Sequence, residues 1–553
     1  MKKYIAIAIA ALGVLSFSAC DRFLDYSSQG APTADNYFQN DQQCIDAADG
    51  IYARLAQESC MGREFYWEQG CANDIVWGRT RSFNTLATLS YTGDEGPLRD
   101  VFGNAYKEGM NRCNWIIQSL LDKQEEKGEL TTVENRTLGE AYFMRAYWHF
   151  IIAYRYGTKD LGVPFVAYEK VEGGYNNEIP EQSATVMDDY AQIISDLETA
   201  EKILPAFEEY DAANRGRAHK AAAVAVMAKT YAYWAMWDSS QWSNVITCVN
   251  KLEQTYGRGL ADNYTDLFAP DFEKFWTKEY CWGYPSNGGP SGGGGGSIEF
   301  TGVCLENKGW GKFNGWGQFK PSYDIYEEML KDGAGNERLV ASILEYGQEF
   351  EFFGETRRFW STSDVEAGFM INKYMQAFAP ADPIGAGYVY DNADWPCTRI
   401  NWPIIRFADC MLLRAEANLV AGNGAAAATD INKIRARVHL PALSGAATWT
   451  DLYHERRCEL AFEMANDHAF DCKRWAVSGA PEIKALALNE LNSHPRARHY
   501  VDRADPDSDF TVGDYEDYMT PTKVWNEKCL TFPYPSEQLN KSAGKLQNVP
   551  AWR

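Results

Sequence analysis

The sequence predicts a mainly α-helical protein in which helix hairpins form a scaffold, interrupted by a loop-rich insertion. Three observations support this fold class. Apolar residues recur at helical spacing in the first half, a helix pair with a tight turn lies near residue 422, and an aromatic- and glycine-rich stretch covers 271–402. The chain has 553 residues, which is enough to bury a large core.

Residues 41–270 have the apolar spacing of successive helices. The segment "GEAYFMRAYWHFIIAYRYG" predicts a long, aromatic-rich helix that ends at Gly157. The segment "SATVMDDYAQIISDLETAEKILP" predicts a second helix, with Ser183 as a candidate cap and Pro205 beyond its end. The segments "RAHKAAAVAVMAKTYAYWAMW" and "SQWSNVITCVNKLEQTYG" predict a helix pair, so this region is expected to be a helical N-terminal part.

Two amphipathic helices joined by a tight turn are predicted in the C-terminal helical region, 403–553. They are "FADCMLLRAEANLVAGN" and "GAAAATDINKIRARVHLP", with Gly-Asn-Gly at 422–424 as the turn. A unit of about 34 residues with this pattern resembles a tetratricopeptide repeat. Ala146 and Phe150 have the spacing of a weaker copy. The sequence therefore predicts a degenerate tetratricopeptide-like helix-hairpin scaffold.

Residues 271–402 interrupt this helical pattern. Stretches such as "CWGYPSNGGPSGGGGGSIEF" predict loops, and only "PSYDIYEEML" predicts a helix. No Lys-Ser/Thr pair follows the run Gly292–Gly296, so it is not a phosphate-binding loop and is expected to be a flexible one. Loops held on a rigid scaffold often carry binding sites, which makes this insertion a candidate ligand-binding region.

The first 19 residues are predicted to be a signal peptide. Two lysines precede an apolar run, residues 4–15, that is too short to span a membrane. The following "LSFSAC" is similar to a bacterial lipobox, with Phe17 where leucine is usual. Cys20 is therefore the predicted lipid anchor and 20–40 the tether, because a thiol at the new N-terminus can carry acyl chains. An ordinary signal peptide that ends near a cysteine is the alternative.

The charge of the chain argues against nucleic acid as a partner. The formal net charge is -23, and removal of the two leader lysines leaves -25. Such a protein repels phosphate backbones and anionic lipid surfaces. Membrane attachment is therefore expected to depend on the acyl anchor and not on a basic patch.

The sequence predicts no metal site, cofactor or catalytic centre. The thirteen cysteines include no C-x-x-C pair, and their disulfide pairing is left open. Four acidic residues occupy positions 1, 3, 5 and 12 of an EF-hand-like loop: Asp505, Asp507, Asp509 and Glu516. Phe510 stands where the turn needs glycine, so a solvated acidic loop is favoured, with calcium binding as the alternative.

The stretch "ERRCELAFE" carries three carboxylates on one predicted helix face. Glycosidases use two carboxylates, and Glu455, Glu459 and Glu463 are four residues apart. Arginines are interleaved with them or lie on neighbouring predicted helices: Arg414, Arg435, Arg456 and Arg457. A structural ion-pair network is therefore favoured over a catalytic pair.

Several ordered stretches together identify a family. They are the lipobox leader, "GEAYFMRAYWHFIIAYRYG", "NWPIIRFADCMLLRAEANLVAGN", "LYHERRCELAFEMANDHAFDCKRWA" and "FPYPSEQLNKSAGKLQNVPAW". In this order they resemble the SusD/RagB family of outer-membrane lipoproteins of Bacteroidota, over nearly the whole mature chain. The resemblance implies a SusD-like fold for the scaffold and insertion.

The resemblance also implies a function. Its members are cell-surface, lipid-anchored proteins of the outer membrane that bind glycans and pass oligosaccharides, sometimes peptides, to a SusC-like TonB-dependent transporter, and they are not enzymes. Two other classes stay open. One is a secreted glycoside hydrolase, and the other is a helical-repeat lipoprotein that only assembles a complex.

Candidate glycan contacts lie in two loop-like regions, "NDIVWGRTRSFNTLATLSYTGDEG" and the central insertion. Sugars stack on flat aromatic faces, while a few polar groups order the hydroxyls. The predicted ligand-binding residues are Asp74, Trp77, Arg79, Arg81, Tyr91, Trp282, Tyr284, Trp310 and Trp316. For each aromatic residue, core packing or contact with the transporter is the alternative.

Overall fold

The computed structural model describes most of the chain as a helical protein, which confirms the predicted fold class. The residues described are 37–77, 84–165, 181–269, 272–286, 317–352, 355–359, 367–374, 400–463 and 468–553. The helices are α1 Asp41–Tyr52, α2 Glu58–Met61, α3 Arg63–Gln69, α4 Asn84–Ala87, α5 Gly96–Phe102, α6 Asn111–Lys127, α7 Thr132–Tyr156, α8 Val186–Ile203, α9 Lys220–Trp234, α10 Trp242–Gln254, α11 Phe272–Phe275, α12 Tyr323–Leu330, α13 Glu337–Ser342, α14 Phe407–Val420, α15 Gly424–Arg437, α16 Trp449–Glu459, α17 His468–Ala476, α18 Pro481–Leu491 and α19 Ser536–Lys541.

The long helices form a stack in which each packs against the next. Helices α1 and α6 pack on α7, α7 packs on α8, α8 on α9, and α9 on α10. Helix α10 then packs on α14, although the central insertion separates the two in sequence, and α14 packs on α15. The predicted helix-hairpin scaffold is therefore continuous from one side of the insertion to the other.

Helix α7 shows how local sequence defines an element of this scaffold. Its start is fixed by a capping box, in which Thr131 Oγ1 accepts the backbone N–H of Glu134 at 3.2 Å and Glu134 accepts that of Thr131 at 2.8 Å. The helix ends before Gly157, as predicted. Neighbouring helices cover most of its faces, which explains why its residues are apolar or aromatic around much of the helix.

The α14–α15 hairpin matches the predicted repeat unit. Gly422 has φ +73°, a left-handed conformation that glycine adopts without steric cost. The side chain of Asn423 accepts the backbone N–H of Ala426 at 3.2 Å and so caps α15. The apolar stripes predicted on the two helices face the core, where Met411 and Ile431 are buried.

Ten short strands lie in the described residues and pair antiparallel in twos. They are β1 Ile75–Trp77, β2 Tyr280–Tyr284, β3 Phe319–Pro321, β4 Ile343–Glu345, β5 Glu349–Phe352, β6 Glu355–Arg358, β7 Phe369–Ile371, β8 Trp402–Arg406, β9 Arg496–Tyr500 and β10 Phe510–Asp514. The pairs are β1–β3, β2–β8, β4–β7, β5–β6 and β9–β10. The stretch 271–402, predicted to be mostly loops, therefore contains β2 to β7 and the first residue of β8. Helix α12 lies where a helix was predicted there.

Most buried apolar side chains belong to one continuous core. This core extends from Phe38 to Leu546 and includes residues from every long helix. A small second cluster consists of Leu344 of β4, Met370 of β7, Tyr346 and Phe359. Within the described residues, none of the helices combines the length and the apolar character that crossing a membrane requires.

The cysteines in the described ranges are buried free thiols. They are Cys44, Cys60, Cys71, Cys113, Cys248, Cys281, Cys410, Cys458, Cys472 and Cys529. Burial raises the pKa of the Cys60 thiol to about 12, so it is protonated at neutral pH. Such thiols pack as small apolar side chains and are poor nucleophiles.

Candidate glycan-binding site

Four of the predicted ligand residues lie in the protein core. Asp74, Trp77, Tyr91 and Trp282 are all less than a tenth exposed. A sugar ring needs an open aromatic face, which the buried rings of Trp77 and Tyr91 do not offer, and the Asp74 carboxylate is buried as well. The structure therefore corrects the ligand-binding prediction to a packing role for Asp74, Trp77 and Tyr91. Trp282 is also buried but lines the cavity described below, so its contact with ligand stays a prediction.

Contacts with the C-terminal segment explain why Trp77 and Tyr91 are buried. The ring of Trp77 meets that of Tyr518 edge to face at 5.5 Å, and its carbonyl accepts the Tyr515 hydroxyl at 2.6 Å. The hydroxyl of Tyr91 donates to the carbonyl of Cys529 at 3.0 Å. Trp77 and Tyr91 are thus covered by residues more than 400 positions later in the chain.

Trp282 and Asp74 have structural partners of a different kind. The indole of Trp282 packs edge to face on Phe143 and Tyr147, with ring centroids 4.7 and 4.9 Å away. The carboxylate of Asp74 accepts from the Arg457 guanidinium at 2.7 Å. Both residues therefore join separate parts of the chain within the core.

The other predicted positions divide into one that is accessible and several that are not described. Tyr284 is half-buried and lines a cavity. Arg79, Arg81, Trp310 and Trp316 lie outside the described residues, as do Gly292–Gly296, the signal peptide and Cys20. For these positions the sequence-based expectations stay predictions.

The cavity beside Tyr284 has a volume of about 280 Å³ and is named the Tyr284 cavity below. It lies where the end of β2 meets the end of α1 and the loop 211–217. The rings of Tyr52 and Tyr284 and the edge of Pro285 form its apolar wall. The Tyr52 hydroxyl accepts the backbone N–H of Ala218 at 2.9 Å, which fixes the orientation of that ring.

A charged pair forms the polar side of the Tyr284 cavity. Arg217 donates to the Asp49 carboxylate at 2.7 Å and to Asn214 at 2.7 Å. The side chain of Asp49 is more than half exposed, so a ligand can reach this carboxylate from solvent. Aromatic faces beside a carboxylate and a guanidinium suit a ligand with apolar ring faces and hydroxyl groups.

The sequence did not single out Tyr52 or Arg217, because long-range packing brings both to β2. The only local signal is Gly216 in the polar loop "DAANRGRAH". A Cβ at Gly216 would lie 2.6 Å from Cγ of Pro285. Glycine therefore allows this loop to approach the end of β2 and close one side of the cavity.

The carboxylates of "ERRCELAFE" form a buried ion-pair network, as predicted. Glu455 accepts from Arg338 at 2.6 Å and from Arg435 at 3.1 Å. Glu463 accepts from Arg406 at 2.8 Å. Glu459 also accepts from Arg406, at 2.7 Å, and it accepts from Arg437.

The predicted arginines have a more varied set of partners than expected. Arg435 pairs with Glu455, whereas Arg457 pairs with Asp74 at 2.6 Å. Arg456 pairs with Asp409 and Asp471, and Arg414 pairs with Asp430 and Glu253. Burial opposes ionisation of Glu459, but three guanidinium groups outweigh it and hold its pKa far below the usual value. A glycosidase needs one protonated carboxyl as a general acid, and Glu459 is held as a carboxylate.

The acidic segment near residue 505 is the turn of a β-hairpin and not a helix-flanked EF-hand. It connects β9 to β10, in which Tyr500 pairs with Phe510. Asp505 accepts the backbone N–H of Asp507 at 2.9 Å, and Asp507 forms an ion pair with Arg358 at 2.5 Å. This geometry is that of a solvated acidic loop, which the sequence favoured.

Two groups of side chains in the described residues have metal-ligand composition: Asp332, His454 and Cys458, and His468, Cys472 and Glu490. In the first group, His454 Nδ1 lies 2.7 Å from Glu328 and Nε2 lies 3.0 Å from Asp332. A carboxylate therefore lies at each ring nitrogen of His454. This arrangement suits the imidazolium form, because only that form donates a hydrogen bond from both nitrogens. Burial opposes this charge, but the contacts with Cys458, Asp332 and Glu328 raise the His454 pKa to about 12.

The His454 cluster predicts a stability difference that depends on pH. Because the pKa of His454 is higher in the folded state than in the unfolded state, its protonation stabilises the folded protein. This contribution is complete below the unfolded-state pKa of about 6.5 and is lost as the pH rises from there toward 12. We expect His454→Gln to lower the free energy of unfolding more at pH 5.5 than at pH 8.5, by about 2 kcal/mol. Urea titrations at the two pH values measure this difference.

The exposed His439 offers a control for that titration. His439→Asn suits its left-handed backbone, φ 58°, and we expect a similar small change in the free energy of unfolding at both pH values.

The carboxylate partner Glu328 affects the stability of the fold in the acid range instead. Glu328, whose pKa is about 2 because His454, Arg457 and Lys331 outweigh the effect of burial, stabilises above about pH 4.5 and loses this contribution on acidification. Equal losses for His454→Gln at pH 5.5 and 8.5 would contradict the imidazolium assignment.

Comparison with known proteins places this arrangement in a family. The profile of the SusD family matches residues 250–552. A second profile, described as starch-binding and associating with the outer membrane, matches residues 22–232. The first match alone covers more than half of the chain. The protein therefore belongs to the SusD family.

Individual relatives agree with this assignment. The SusD-like protein P25 of Formosa agariphila is 24% identical over 512 residues, covering 84% of this chain and 88% of its own. A SusD-like protein from Bacteroides fragilis has a TM-score of 0.73 at 19% identity, covering 93% of this chain and 98% of its own. Surface glycan-binding protein A from Bacteroides uniformis scores 0.66 at 21% identity, covering 93% and 100%. A laminarin-binding SusD-like protein scores 0.66 at 20% identity, again covering 93% and 100%. These structures share the fold.

Proposed function

We propose that this protein is a lipid-anchored oligosaccharide-binding protein of the outer membrane that delivers its ligand to a SusC-like TonB-dependent transporter. The observation that carries the proposal is that SusD-family profiles match both parts of the chain, one of them described as starch-binding and associating with the outer membrane. Solved structures of the same fold include a laminarin-binding protein and surface glycan-binding proteins, which supports a glycan as the ligand.

The proposed role needs no bond chemistry. The carboxylates that suggested a glycosidase, Glu455, Glu459 and Glu463, form buried ion pairs with arginines. This favours glycan binding over glycan hydrolysis. An assembly protein without ligand is the other class, and the Tyr284 cavity argues against it because it combines aromatic faces with a charged pair.

We propose that the Tyr284 cavity forms part of the ligand site. Arg79, Arg81, Trp310 and Trp316 stay in the proposal as further contacts, on the basis of their residue types and their place in the two loop-like regions. Attachment through Cys20 and display on the cell exterior complete the proposal. The attachment rests on the lipobox-like leader and the family resemblance, and the display rests on the family resemblance alone.

Replacement of Tyr284 tests the proposed site. We expect Tyr284→Ala to weaken binding of a preferred neutral hexasaccharide at least fivefold, because a lost stacking face is worth about 1 kcal/mol. Isothermal titration of wild type and variant against maltohexaose, laminarihexaose, cellohexaose and mannohexaose measures the effect. Tyr231→Ala is the matched control, since Tyr231 is also half-buried and does not line the cavity. Unchanged affinity in Tyr284→Ala would remove this cavity from the site.

A further inference from the structure

A second, larger cavity lies between the helices of the scaffold. Its volume is about 500 Å³, and it shares none of the residues that line the Tyr284 cavity. It opens where the segment after α9 meets the end of α14, the start of α16 and the end of α17. Four tryptophans line it, and it is named the Trp cavity after them: Trp237, Trp242, Trp449 and Trp475.

The tryptophans of this cavity differ in accessibility. Trp242 and Trp475 are buried walls, whereas Trp237 and Trp449 are half-buried. Val420, which is 44% exposed, lies on the same lining. The orientation of Trp475 is fixed because its Nε1 donates to the Glu416 carboxylate at 2.9 Å. Fixed indole faces around an accessible space are suited to stacking against a flat apolar ligand face.

A buried guanidinium–carboxylate pair also lines the Trp cavity. Arg474 donates Nη1 to Oε1 of Glu416 at 2.5 Å and Nη2 to Oε2 at 2.7 Å. Both side chains are at least nine-tenths buried and belong to the lining. The Arg474 guanidinium lies 5.3 Å from the Trp475 ring and 5.9 Å from the Trp242 ring. The charged groups are therefore held rigidly beside the aromatic walls.

In the part of the chain that the structure describes, the Arg474–Glu416 pair has one N–H donor and one carboxylate lone pair without a hydrogen-bond partner. Arg474 has five N–H groups, and four donate to Glu416 and Asp471. One N–H of Nη1 has no acceptor among the residues that the structure describes. Oε2 of Glu416 accepts a single hydrogen bond there, which leaves a further lone-pair site. A hydroxyl group both donates and accepts, so neighbouring hydroxyls match this pair of groups.

The charges around the cavity balance in a chain of ion pairs. Lys229 pairs with Asp409, Asp409 with Arg456, and Arg456 with Asp471. Asp471 pairs with Arg474, which pairs with Glu416. This chain alternates three cations with three carboxylates. A charged ligand would therefore meet no excess of opposite charge at the cavity.

We propose that the Trp cavity is a second sugar-binding site, separate from the Tyr284 cavity, that takes neutral pyranose units of an oligosaccharide. The inference rests on the proposed function, because it assumes that glycans are the ligands of this chain. Indole faces stack on the ring C–H groups, while Arg474 and Glu416 hydrogen-bond to hydroxyls. A volume of about 500 Å³ lies within the range of small-ligand sites. The balanced local charge and the net charge of -23 disfavour uronic acids.

A residue-resolved measurement tests this site directly. The full chain is labelled with 5-fluorotryptophan, and the ¹⁹F resonances of Trp237 and Trp449 are assigned with single Trp→Phe variants. We expect maltotriose, laminaritriose, cellotriose or mannotriose to shift both resonances in a saturable way. The half-buried Trp525 lines neither cavity, and its resonance is the internal control. Trigalacturonate should require at least a tenfold higher concentration for the same shift.

Variants separate the two cavities. We expect Trp237→Ala/Trp449→Ala to weaken the affinity for the active trisaccharide at least tenfold at this site, read from the ¹⁹F resonance of Trp475, which lines the same cavity and is retained in this variant. Tyr284→Ala should leave the Trp237 and Trp449 shifts unchanged within twofold. Val420→Tyr adds bulk at an exposed lining position without removing a side chain, and it should also reduce the shifts.

The outcomes distinguish this inference from the proposed function. If hexasaccharides bind the wild type but no neutral trisaccharide shifts Trp237 or Trp449, the second site is wrong and the proposed function stands. Shifts that persist in Val420→Tyr and disappear in Tyr284→Ala would also overturn the second site. If neither trisaccharides nor hexasaccharides bind, both proposals fail.

Discussion

Replacing Arg406 with methionine is expected to lower the free energy of unfolding by about 3–5 kcal/mol, the largest stability effect that the structure predicts. Arg406 is almost completely buried at the end of β8. Its guanidinium donates to Glu279 at 2.6 Å, to Glu459 at 2.7 Å and to Glu463 at 2.8 Å. Removing it leaves these three buried carboxylates with one cation fewer, and uncompensated buried charge is costly.

An exposed arginine provides the matched control for this variant. Arg99 also forms an ion pair, with Asp100 at 2.8 Å, but half of its side chain is exposed to solvent. Exposed pairs contribute little because water screens them, so Arg99→Met should change the free energy of unfolding by less than about 1 kcal/mol. Urea titrations followed by circular dichroism measure both variants. Equal midpoints for Arg406→Met and the wild type would show that the network does not carry the stability assigned to it.

Replacing Cys20 with alanine is expected to remove the protein from the outer-membrane fraction and to abolish incorporation of labelled palmitate. Stable anchoring requires more than one acyl chain, at about 0.8 kcal/mol for each buried CH₂ group. The thiol is the proposed attachment point, so alanine at this position removes the anchor entirely. The effect is therefore expected to be nearly all-or-none.

Palmitate labelling and separation of membrane fractions measure this effect. Ser16→Ala is the control, because it alters the same leader and keeps the cysteine, and we expect it to label like the wild type. Continued labelling of Cys20→Ala, or its presence in the outer-membrane fraction, would contradict anchoring through this residue. Either result would leave the glycan-binding proposal untouched.

The helical scaffold could be predicted because its signals are local. Helix α7 has a capping sequence at its start and Gly157 at its end, and α14–α15 has Gly422 in the left-handed conformation that the turn requires. The predicted cap of α8 was wrong by two residues. Thr185 caps this helix instead of Ser183, because the Thr185 hydroxyl accepts from the Asp188 backbone.

The pairing of the strands could not be predicted from local sequence. Strand β2 pairs with β8, and Trp282 faces Ile405 across a gap of more than 100 residues. Both strands have five residues, so neither provides a long alternating pattern. The partners of charged side chains could not be predicted from local sequence either. Glu455 was expected to pair with arginines, but its partner Arg338 lies 117 residues earlier in the chain.

The candidate site was predicted only in part for a related reason. Residue type suggested that Trp77 and Tyr91 stack on sugars, yet an aromatic side chain serves a core equally well. Burial by distant segments decides between the two, as the contact of Tyr515 with Trp77 shows. Tyr284 differs because the end of β2 leaves it half-buried at a cavity.

Isothermal titration of the mature protein with neutral hexasaccharides, combined with a reducing-end assay on the same samples, decides whether the protein binds glycans without cleaving them. We expect at least one glycan to bind with a Kd below about 1 mM, equivalent to about -4 kcal/mol, and no new reducing ends to appear. The absence of binding across the panel would contradict a glycan-binding role. Release of reducing ends would instead identify a glycoside hydrolase.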